Sequence, residues 1–181
     1  MTITLHNITD FDAEYFVRKG QLIIAHLPAT TPNASLSVPT DNLYEVIATT
    51  LIEGNTYTSA PFLVSDSQDF LAQVRQERVQ GTYVFDVVPH SSSVPDRLVF
   101  QKTCLSPVTF VLRKDGKPLQ SVVVHSSTES QLQDISNTVH IYAVINGVTT
   151  ATLTTNNPNA TITATNDRSN LQAGYYALIE S

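Results

Sequence analysis

The sequence predicts an all-β protein made of two tandem antiparallel β-sandwich modules related by internal duplication. Three observations lead to this prediction. The chain has 23 threonines among 181 residues, and β-branched side chains pack well on a pleated sheet but lose rotamer freedom in a helix. Charged residues make up only 14%, against about 25% in typical globular domains. Short alternating runs recur in the same order in both halves of the chain, which is typical of repeated structural units.

The repeat is clearest at its turns. The stretch FVRKGQLI (Phe16–Ile23) is followed about 95 positions later by VLRKDGKPL (Val111–Leu119), and glycine supplies the positive φ that a hairpin turn needs. Asn146-Gly147 lies between apolar and β-branched runs, which is the strongest short-range hairpin signal. Glu53-Gly54-Asn55 stands at the corresponding point of the first half. The chain therefore carries two copies of one strand pattern.

Each module is expected to contain six to eight strands separated by turn signals. In the first module we expect strands near Ile3–Ile8, Glu14–Lys19, Gln21–Leu27, Ser35–Val38, Leu43–Leu51, Thr56–Val64, Leu71–Gln76 and Thr82–Val88. The seventh has an alternative, because an N-cap and apolar residues at helical spacing also permit a short helix over 66–79. Its counterpart in the second half, TITATNDRSNL, has the alternation of a strand, and we follow that pattern.

The boundary between modules is predicted in PHSSSVPDR (Pro89–Arg97), where three serines stand between two prolines. Such a composition is typical of a short, semi-extended linker. The predicted organisation is thus module 1 at 1–90, a linker at 91–97 and module 2 at 98–181. The arrangement resembles immunoglobulin-like and related Greek-key modules, without the buried Trp and paired Cys of true immunoglobulin domains.

Strand alternation also predicts which side chains are buried. The residues expected to face inward are Val46, Ala48, Tyr83 and Phe85 in the first module and Ile141, Ala143, Tyr176 and Leu178 in the second. The repeat further predicts that Gly54 corresponds to Gly147, and Gly81 to Gly174.

The net charge of −6 argues against nucleic-acid and anionic-membrane partners, because both need clustered Lys and Arg. The first 95 residues hold four basic and ten acidic side chains, whereas residues 96–181 hold six of each. This asymmetry suggests that the neutral second module contacts a protein or a glycan, since it has little charge to desolvate. Ordinary divergence explains the asymmetry as well.

No catalytic or metal-ligating motif stands out. The five histidines are isolated from one another, although His26 and His125 come at comparable points of the two modules. The carboxylates of Asp10, Asp12 and Glu14 are spaced by two, so on one strand they would share a face and form a weak candidate cation site; an edge guarded by like charges explains them equally. Cys104 is expected to be a small buried hydrophobe. We therefore expect no enzyme activity and no cofactor.

An edge strand offers unpaired backbone groups to a neighbouring chain. The segment Ser121–Ser136 contains no proline and begins with Val122, Val123 and Val124 after its first serine. We expect these three valines to form an interaction edge that the first module or a neighbouring subunit covers.

Three functions remain open at this stage. The favoured one is a non-catalytic structural or interaction protein in a larger assembly, such as a virion decoration, fibre or tail-associated protein. The alternatives are a lectin-like carbohydrate-binding protein, which uses loop Tyr and Asn, and a membrane-active toxin, for which no amphipathic basic stretch is visible. The amino terminus shows neither the basic region nor the apolar run of a secretion signal, and no run has the length of a membrane span. Localisation is not assigned beyond synthesis in the cytoplasm or residence in a virion.

Overall fold

The computed structural model describes residues 1–20, 22–77, 82–169 and 175–181. These residues form eighteen β-strands and no helix, so the prediction of an all-β protein is confirmed. The first nine strands are β1 (Thr2–Asn7), β2 (Ala13–Lys19), β3 (Leu22–His26), β4 (Ser35–Pro39), β5 (Tyr44–Ile52), β6 (Asn55–Thr58), β7 (Phe62–Val64), β8 (Gln68–Glu77) and β9 (Thr82–Ser91). The others are β10 (Arg97–Lys102), β11 (Val108–Lys114), β12 (Lys117–Val124), β13 (Gln131–Asp134), β14 (Val139–Ile145), β15 (Val148–Thr149), β16 (Leu153–Thr155), β17 (Thr161–Asn166) and β18 (Tyr176–Glu180). Within the described ranges, nothing helical has the length and hydropathy that crossing a bilayer takes.

The chain divides into two compact units whose boundaries differ from those of the predicted modules. Unit 1 consists of Met1–Asp41 together with Ser136–Ser181, and unit 2 consists of Asn42–Ile135. The predicted linker at 91–97 lies inside unit 2, where it belongs to the end of β9 and the connection to β10. Serines and prolines mark a loop in either case, because composition does not distinguish a linker between domains from a loop within one.

Each unit contains two sheets. Sheet A has the strand order β18-β17-β1-β4 and sheet B the order β15-β14-β2-β3, with β16 also paired to β14; both belong to unit 1. In unit 2, sheet C has the order β6-β5-β11-β12, with β7 also paired to β5, and sheet D has the order β9-β8-β10-β13. The orders coincide when β1–β4 are matched with β10–β13, and β14–β18 with β5–β9. Each unit thus joins the opening strands of one half of the chain to the closing strands of the other half.

The sequence predicts antiparallel sheets, but sheets A and D each contain a parallel pair of strands. β1 runs parallel to β17 in sheet A, and β10 runs parallel to β8 in sheet D. The other pairs of strands that the structure describes are antiparallel. A parallel neighbour needs a long crossover connection, and both parallel pairs join strands from different halves of the chain.

A hydrophobic core lies between the two sheets of each unit. In unit 1, one cluster of buried side chains combines Ile3 and Leu5 of sheet A with Tyr15 and Ile141 of sheet B. In unit 2, the rings of Phe100 in sheet D and Phe110 in sheet C stack with their centroids 4.7 Å apart. The strands bury alternate residues, as β2 does with its first, third, fifth and seventh positions, because successive side chains point to opposite faces of a sheet.

Among the described residues, three hairpin turns have two consecutive residues with positive φ. Asn146 and Gly147 have φ values of 48° and 76°, Glu53 and Gly54 have 49° and 81°, and Asp115-Gly116 has 50° and 76°. Positive φ at both central positions is the type I′ geometry that matches the twist of a hairpin. The Asn-Gly prediction is therefore confirmed, and the turn at Glu53-Gly54 has two residues rather than the three expected.

The seventh predicted strand is a strand and not a helix, since β8 covers Gln68–Glu77. The predicted strand at 56–64 is divided into β6 and β7. Among the residues expected to face inward, Val46, Ala48, Ile141 and Ala143 are fully buried and Tyr176 is nearly so, whereas Tyr83, Phe85 and Leu178 are half-buried. The ladder registers match Tyr176 with Phe85 rather than with Tyr83, a shift of two that leaves the inner face unchanged. Gly81 and Gly174 lie outside the described residues.

Candidate binding site

The predicted interaction edge lies at the end of β12. This strand pairs with β11 on one side and is the last strand in the order of sheet C. Val124 is fully buried in the core, Val122 is half-buried, and Val123 is 37% exposed. Alternation thus leaves only Val123 on the outer face. That a partner covers this edge stays a prediction.

The outer face of sheet C carries several aliphatic side chains, alongside threonines and the 3.6 Å ion pair between Arg113 and Glu45. Val111 of β11 and Ile47 of β5 lie opposite each other, and both side chains are half-buried. Leu51 and Leu63 lie further out on the same face and are 59% and 76% exposed. Val123 extends this set to the edge of the sheet. Exposed apolar side chains that recur on one face of a sheet mark a site of interaction more often than a single one does.

The three carboxylates considered as a cation site do not share one face. Asp10 and Asp12 are exposed in the loop between β1 and β2, whereas Glu14 lies in β2. The Glu14 carboxylate is 2.6 Å from Nε2 of His26, and Asp10 accepts a hydrogen bond from Nδ2 of Asn166 at 3.1 Å. Among the described residues, no group of three or more His, Cys, Asp or Glu side chains could hold a metal ion. The weak candidate cation site required all three residues on one strand, and β2 begins only at Ala13, so the spacing of two spans a loop and a strand.

His26 belongs to a row of rings on the outer face of sheet B. Its ring stacks on Phe16 with centroids 4.3 Å apart, and Phe16 stacks on Tyr142 with centroids 4.7 Å apart, all three planes being within 15° of their neighbours. His125 follows β12 and is exposed, and the registers match His26 with Ser121 instead. The two histidines are therefore not equivalent. Because the rings occupy one another's faces, this row stabilises the sheet and offers few ring faces to a ligand.

A cluster of exposed aromatic and polar side chains surrounds the loop between β1 and β2 in unit 1. Phe11 is 46% exposed and Tyr175 is 55% exposed. Both line a small hollow of about 120 Å³ with Asp10, Asn166, Arg168 and Tyr176. A second hollow, of about 400 Å³, is lined by Asp10, Phe11, Asp12 and Asn146. Asp10 and Phe11 are common to both hollows, and we call this cluster the Phe11 site.

A buried asparagine fixes the loop that carries the Phe11 site. Asn7 is fully buried, and its Nδ2 donates 2.8 Å hydrogen bonds to the carbonyl oxygens of Phe11 and Thr30. Its Oδ1 accepts from the backbone N–H of Thr9 at 3.0 Å. The Phe11 ring also meets Tyr176 edge to face, with centroids 6.5 Å apart. These contacts hold the backbone and the ring of Phe11 from the core side.

Unit 2 has a corresponding loop with different chemistry. Lys102 is 2% exposed, and its ammonium donates to the carbonyl oxygens of Cys104 and Leu105 at 2.8 and 3.3 Å. Leu105 is fully exposed at the tip. The loop lines a cleft of about 470 Å³ together with Ile52, Glu53, Val74, Tyr83, Thr103 and Ser106. A buried polar side chain thus holds the corresponding loop in each unit, Asn7 in unit 1 and Lys102 in unit 2. The exposed residue at the tip of the unit 2 loop is aliphatic.

Two side chains in this cleft have shifted pKa values. Cys104 is partly exposed rather than buried as expected, and burial of its sulfur raises the pKa of the thiol. A raised pKa favours the neutral thiol, which is the less reactive form. The hydroxyl of Tyr83 donates to Oε1 of Glu53 at 3.1 Å, and this hydrogen bond raises the pKa of the phenol.

A serine-rich cleft of about 500 Å³ occupies another part of unit 2. Its walls are Leu63, Ser65, Asp66, Ser67, Gln68, Ser91, Ser92, Ser93 and Pro95. Three of these serines come from the segment that the sequence suggested as a linker. The cleft has neither an aromatic ring nor a histidine among its lining residues.

The sequence prediction missed the Phe11 site as a unit. Phe11 and Asp10 lie about 155 positions from Asn166, and only the pairing of β1 with β17 brings them together. One local signal was available, the consecutive Tyr175 and Tyr176. Neighbouring residues at the start of a strand face opposite ways, so one ring had to be exposed.

No protein-family model, curated protein sequence or solved structure matches this chain.

Proposed function

We propose that the protein is a non-catalytic structural or interaction component of a larger assembly, built from two duplicated β-sandwich modules of immunoglobulin-like or Greek-key type that have exchanged halves. A virion decoration, fibre or tail-associated protein is a fitting example of this class. The observation that carries the proposed role is the set of aliphatic side chains on the outer face of sheet C, together with the open edge of that sheet.

The duplication is supported by a hydrogen-bonding device that occurs once in each unit. The backbone N–H of Ala48 donates to Oγ of Ser59 at 3.0 Å, and the N–H of Ser59 donates back to the Ala48 carbonyl at 2.9 Å. In unit 1, Ala143 and Thr150 make the same two bonds at 3.0 and 2.9 Å. Two hairpins of independent origin would have no physical reason to share this pair of hydrogen bonds. We infer that both units descend from one strand pattern.

The exchange of halves follows from the duplication and the unit boundaries. When two copies of a fold stand in one chain, the opening strands of either copy fit the closing strands of both, and exchange of identical elements between partners is a low-cost arrangement. The chain leaves unit 1 at Asp41 and returns at Ser136. Short connections of four residues, at 40–43 and 135–138, separate the strands at these two crossings.

The proposed association surface consists of Ile47, Leu51, Leu63, Val111 and Val123. Burial of apolar area contributes about 25 cal/mol per Å², and the open edge adds backbone donors and acceptors that a strand from a partner can pair. Both features lie on one sheet of unit 2, so a single partner can use them together. Association through this surface requires no catalytic side chain.

The test uses Val123→Lys, because a lysine at an outward position of an edge strand opposes pairing with another strand. Analytical ultracentrifugation over a wide concentration range, with pull-down from the native source, should show self-association or one stable protein partner for the native chain and a weaker complex for the variant. Ile23→Lys, on the edge strand β3 of unit 1, is the matched control because Ile23 is also exposed. A native chain that stays monomeric and captures no partner contradicts the proposal.

A further inference from the structure

We propose that the Phe11 site of unit 1 binds a neutral saccharide. Phe11 and Tyr175 would contact the apolar faces of one or two sugar rings, and Asp10, Asp12 and Asn166 would hydrogen-bond their hydroxyl groups. This site lies in unit 1 and does not depend on the association surface proposed for unit 2.

The two exposed rings are the first part of the argument. Phe11 and Tyr175 line the same hollow, and about half of each side chain is exposed. An aromatic ring exposed to water forgoes the favourable burial of its apolar surface. Two exposed rings at one hollow therefore indicate a binding surface. Sugar rings carry patches of C–H groups on their faces, which suits contact with an aromatic ring.

The polar side chains around the rings are the second part. Asp10 and Asp12 supply carboxylate acceptors, Asn166 and Asn146 supply amide donors and acceptors, and Arg168 supplies donors only. All of them line one or the other hollow. Sugar hydroxyls both donate and accept, so they match a mixed set of this kind. The hydrogen bond between Asn166 and Asp10 holds the two partners in a fixed relative position.

The mixture of charges disfavours ionic ligands. A cation would be attracted by Asp10 and Asp12 but repelled by Arg168, and an anion would meet the opposite balance. The site is also open to solvent, so screening by water and salt weakens any single ion pair formed there. A neutral polyhydroxylated ligand meets no such repulsion and still uses every polar group.

The anchoring of the loop is the third part. The side chain of Asn7 bonds the Phe11 carbonyl oxygen from inside the core, and the Phe11 ring rests edge to face on Tyr176. A site that is already ordered loses less conformational entropy on binding. Weak ligands such as small saccharides need this advantage, because they bury little area.

The corresponding loop of unit 2 provides an internal comparison. Its exposed tip is the aliphatic Leu105, and the aromatic ring among the described residues that line the cleft is the half-buried Tyr83, whose hydroxyl is bonded to Glu53. The aromatic row on sheet B is a poorer candidate, because Phe16 has a ring on each side. The chemistry for sugar stacking is thus found at one loop of unit 1.

The experiment measures the full chain on an array of neutral and sialylated mono- to tetrasaccharides, with tetralysine peptide as a cationic probe. The native protein should bind at least one neutral glycan. Phe11→Ala and Tyr175→Ala should each weaken binding by about tenfold or more, which is the size of a lost aromatic contact. Tyr175→Phe should retain most of the binding because it keeps the ring.

Two control variants separate this site from the rest of the molecule. Leu105→Ala changes the matching loop of unit 2, and Val123→Lys changes the proposed association surface, so neither should alter glycan binding. The melting curve of Tyr175→Ala should overlap that of the native protein, whereas Phe11→Ala should stay cooperatively folded with a slightly lower melting temperature, because it loses the edge-to-face contact with Tyr176. A silent array, glycan binding that survives both alanine substitutions, or binding of tetralysine alone would each overturn the proposal.

Discussion

Unit 1 and unit 2 have the same strand order, but they are assembled from the chain in different ways. Unit 2 is a single stretch of 94 residues, Asn42–Ile135, whereas unit 1 joins the two ends of the chain, Met1–Asp41 and Ser136–Ser181. The strand order is therefore compatible with either connection. The pairing of opening strands with closing strands depends on contacts between distant segments of the chain. The local sequence of a single strand does not specify it.

The inner and outer faces of the two units differ in how much they have diverged. At the centre of the inner faces, Ala143 and Ala48 occupy matching positions and both are fully buried. On the outer faces, the matching cross-strand pairs are Phe16–Tyr142 in unit 1 and Val111–Ile47 in unit 2. A close-packed core restricts the volume of each residue, but an outer face can change with its partner. The matching residues are therefore alike on the inner faces and different on the outer faces.

The net charges of the units are equal. Unit 1 contains three basic and six acidic residues, and unit 2 contains seven and ten, so each has a net charge of −3. The asymmetry between sequence halves, −6 against zero, disappears because each unit draws strands from both halves. Neither unit is therefore neutral, and charge does not distinguish one unit as the better surface for a partner.

The largest expected effect comes from cutting the chain at the unit boundaries. A fragment of residues 42–135 contains all nine strands of unit 2 and should melt cooperatively as a monomer. A fragment of residues 1–90 combines β1–β4 with β5–β9, which are not their partners in the full chain, so any cooperative monomeric transition in circular dichroism and differential scanning calorimetry should lie well below that of the 42–135 fragment. A monomeric 1–90 fragment that melts at the temperature of the 42–135 fragment or above it would restore the tandem-module division.

Truncation of the aromatic core should destabilise unit 2 selectively. Phe100 stacks between Phe70 and Phe110 and is 1% exposed. Phe100→Ala should lower the free energy of unfolding of unit 2 by about 3–5 kcal/mol, because it leaves a cavity between the rings of Phe70 and Phe110. Chemical denaturation of the 42–135 fragment measures this directly. Leu5→Ala, at the matching position of unit 1, should leave the unit 2 transition unchanged in the full chain, and equal effects on both transitions would mean that the units unfold as one.

The smallest expected effect is an alkaline difference at one matching core position. Burial raises the pKa of Tyr15 to about 12, although a backbone hydrogen bond at Ala164 acts in the opposite direction; unit 2 has Phe110 at this position. The folded state holds the phenol proton more tightly than the unfolded state, whose pKa is about 10. This contribution is complete below pH 10 and is lost as the pH rises towards 12.

The measurement is the melting temperature of unit 1 between pH 9 and 12 for the native protein and for Tyr15→Phe. Tyr15 donates a 2.9 Å hydrogen bond to the His6 carbonyl oxygen, so the variant should be less stable at neutral pH and should decline less with alkali. Parallel curves for the two proteins would show that Tyr15 does not ionise in this range.

Local features of the sequence were sufficient to predict the strands and the hairpin turns. The φ values at Asn146-Gly147 and Glu53-Gly54 follow from residues that tolerate the left-handed region, and the burial of alternate residues in β2 and β14 follows from the side-chain period of a strand. The Lys102 anchor was less visible, because a charged residue at the end of a strand is ordinarily exposed.

Only the tertiary structure decided which strands pair with each other and which distant residues meet. The composition and the repeat determined an all-β chain with strands near their observed bounds and with hairpins at the observed glycines. They did not determine that β1 lies beside β17, that Asp10 and Asn166 meet at the Phe11 site, or that 91–97 is a loop inside unit 2. Strand formation depends on neighbours a few residues apart, whereas the pairing of strands depends on contacts between distant segments, and the similar strand patterns of the two halves allow more than one way of combining opening strands with closing strands.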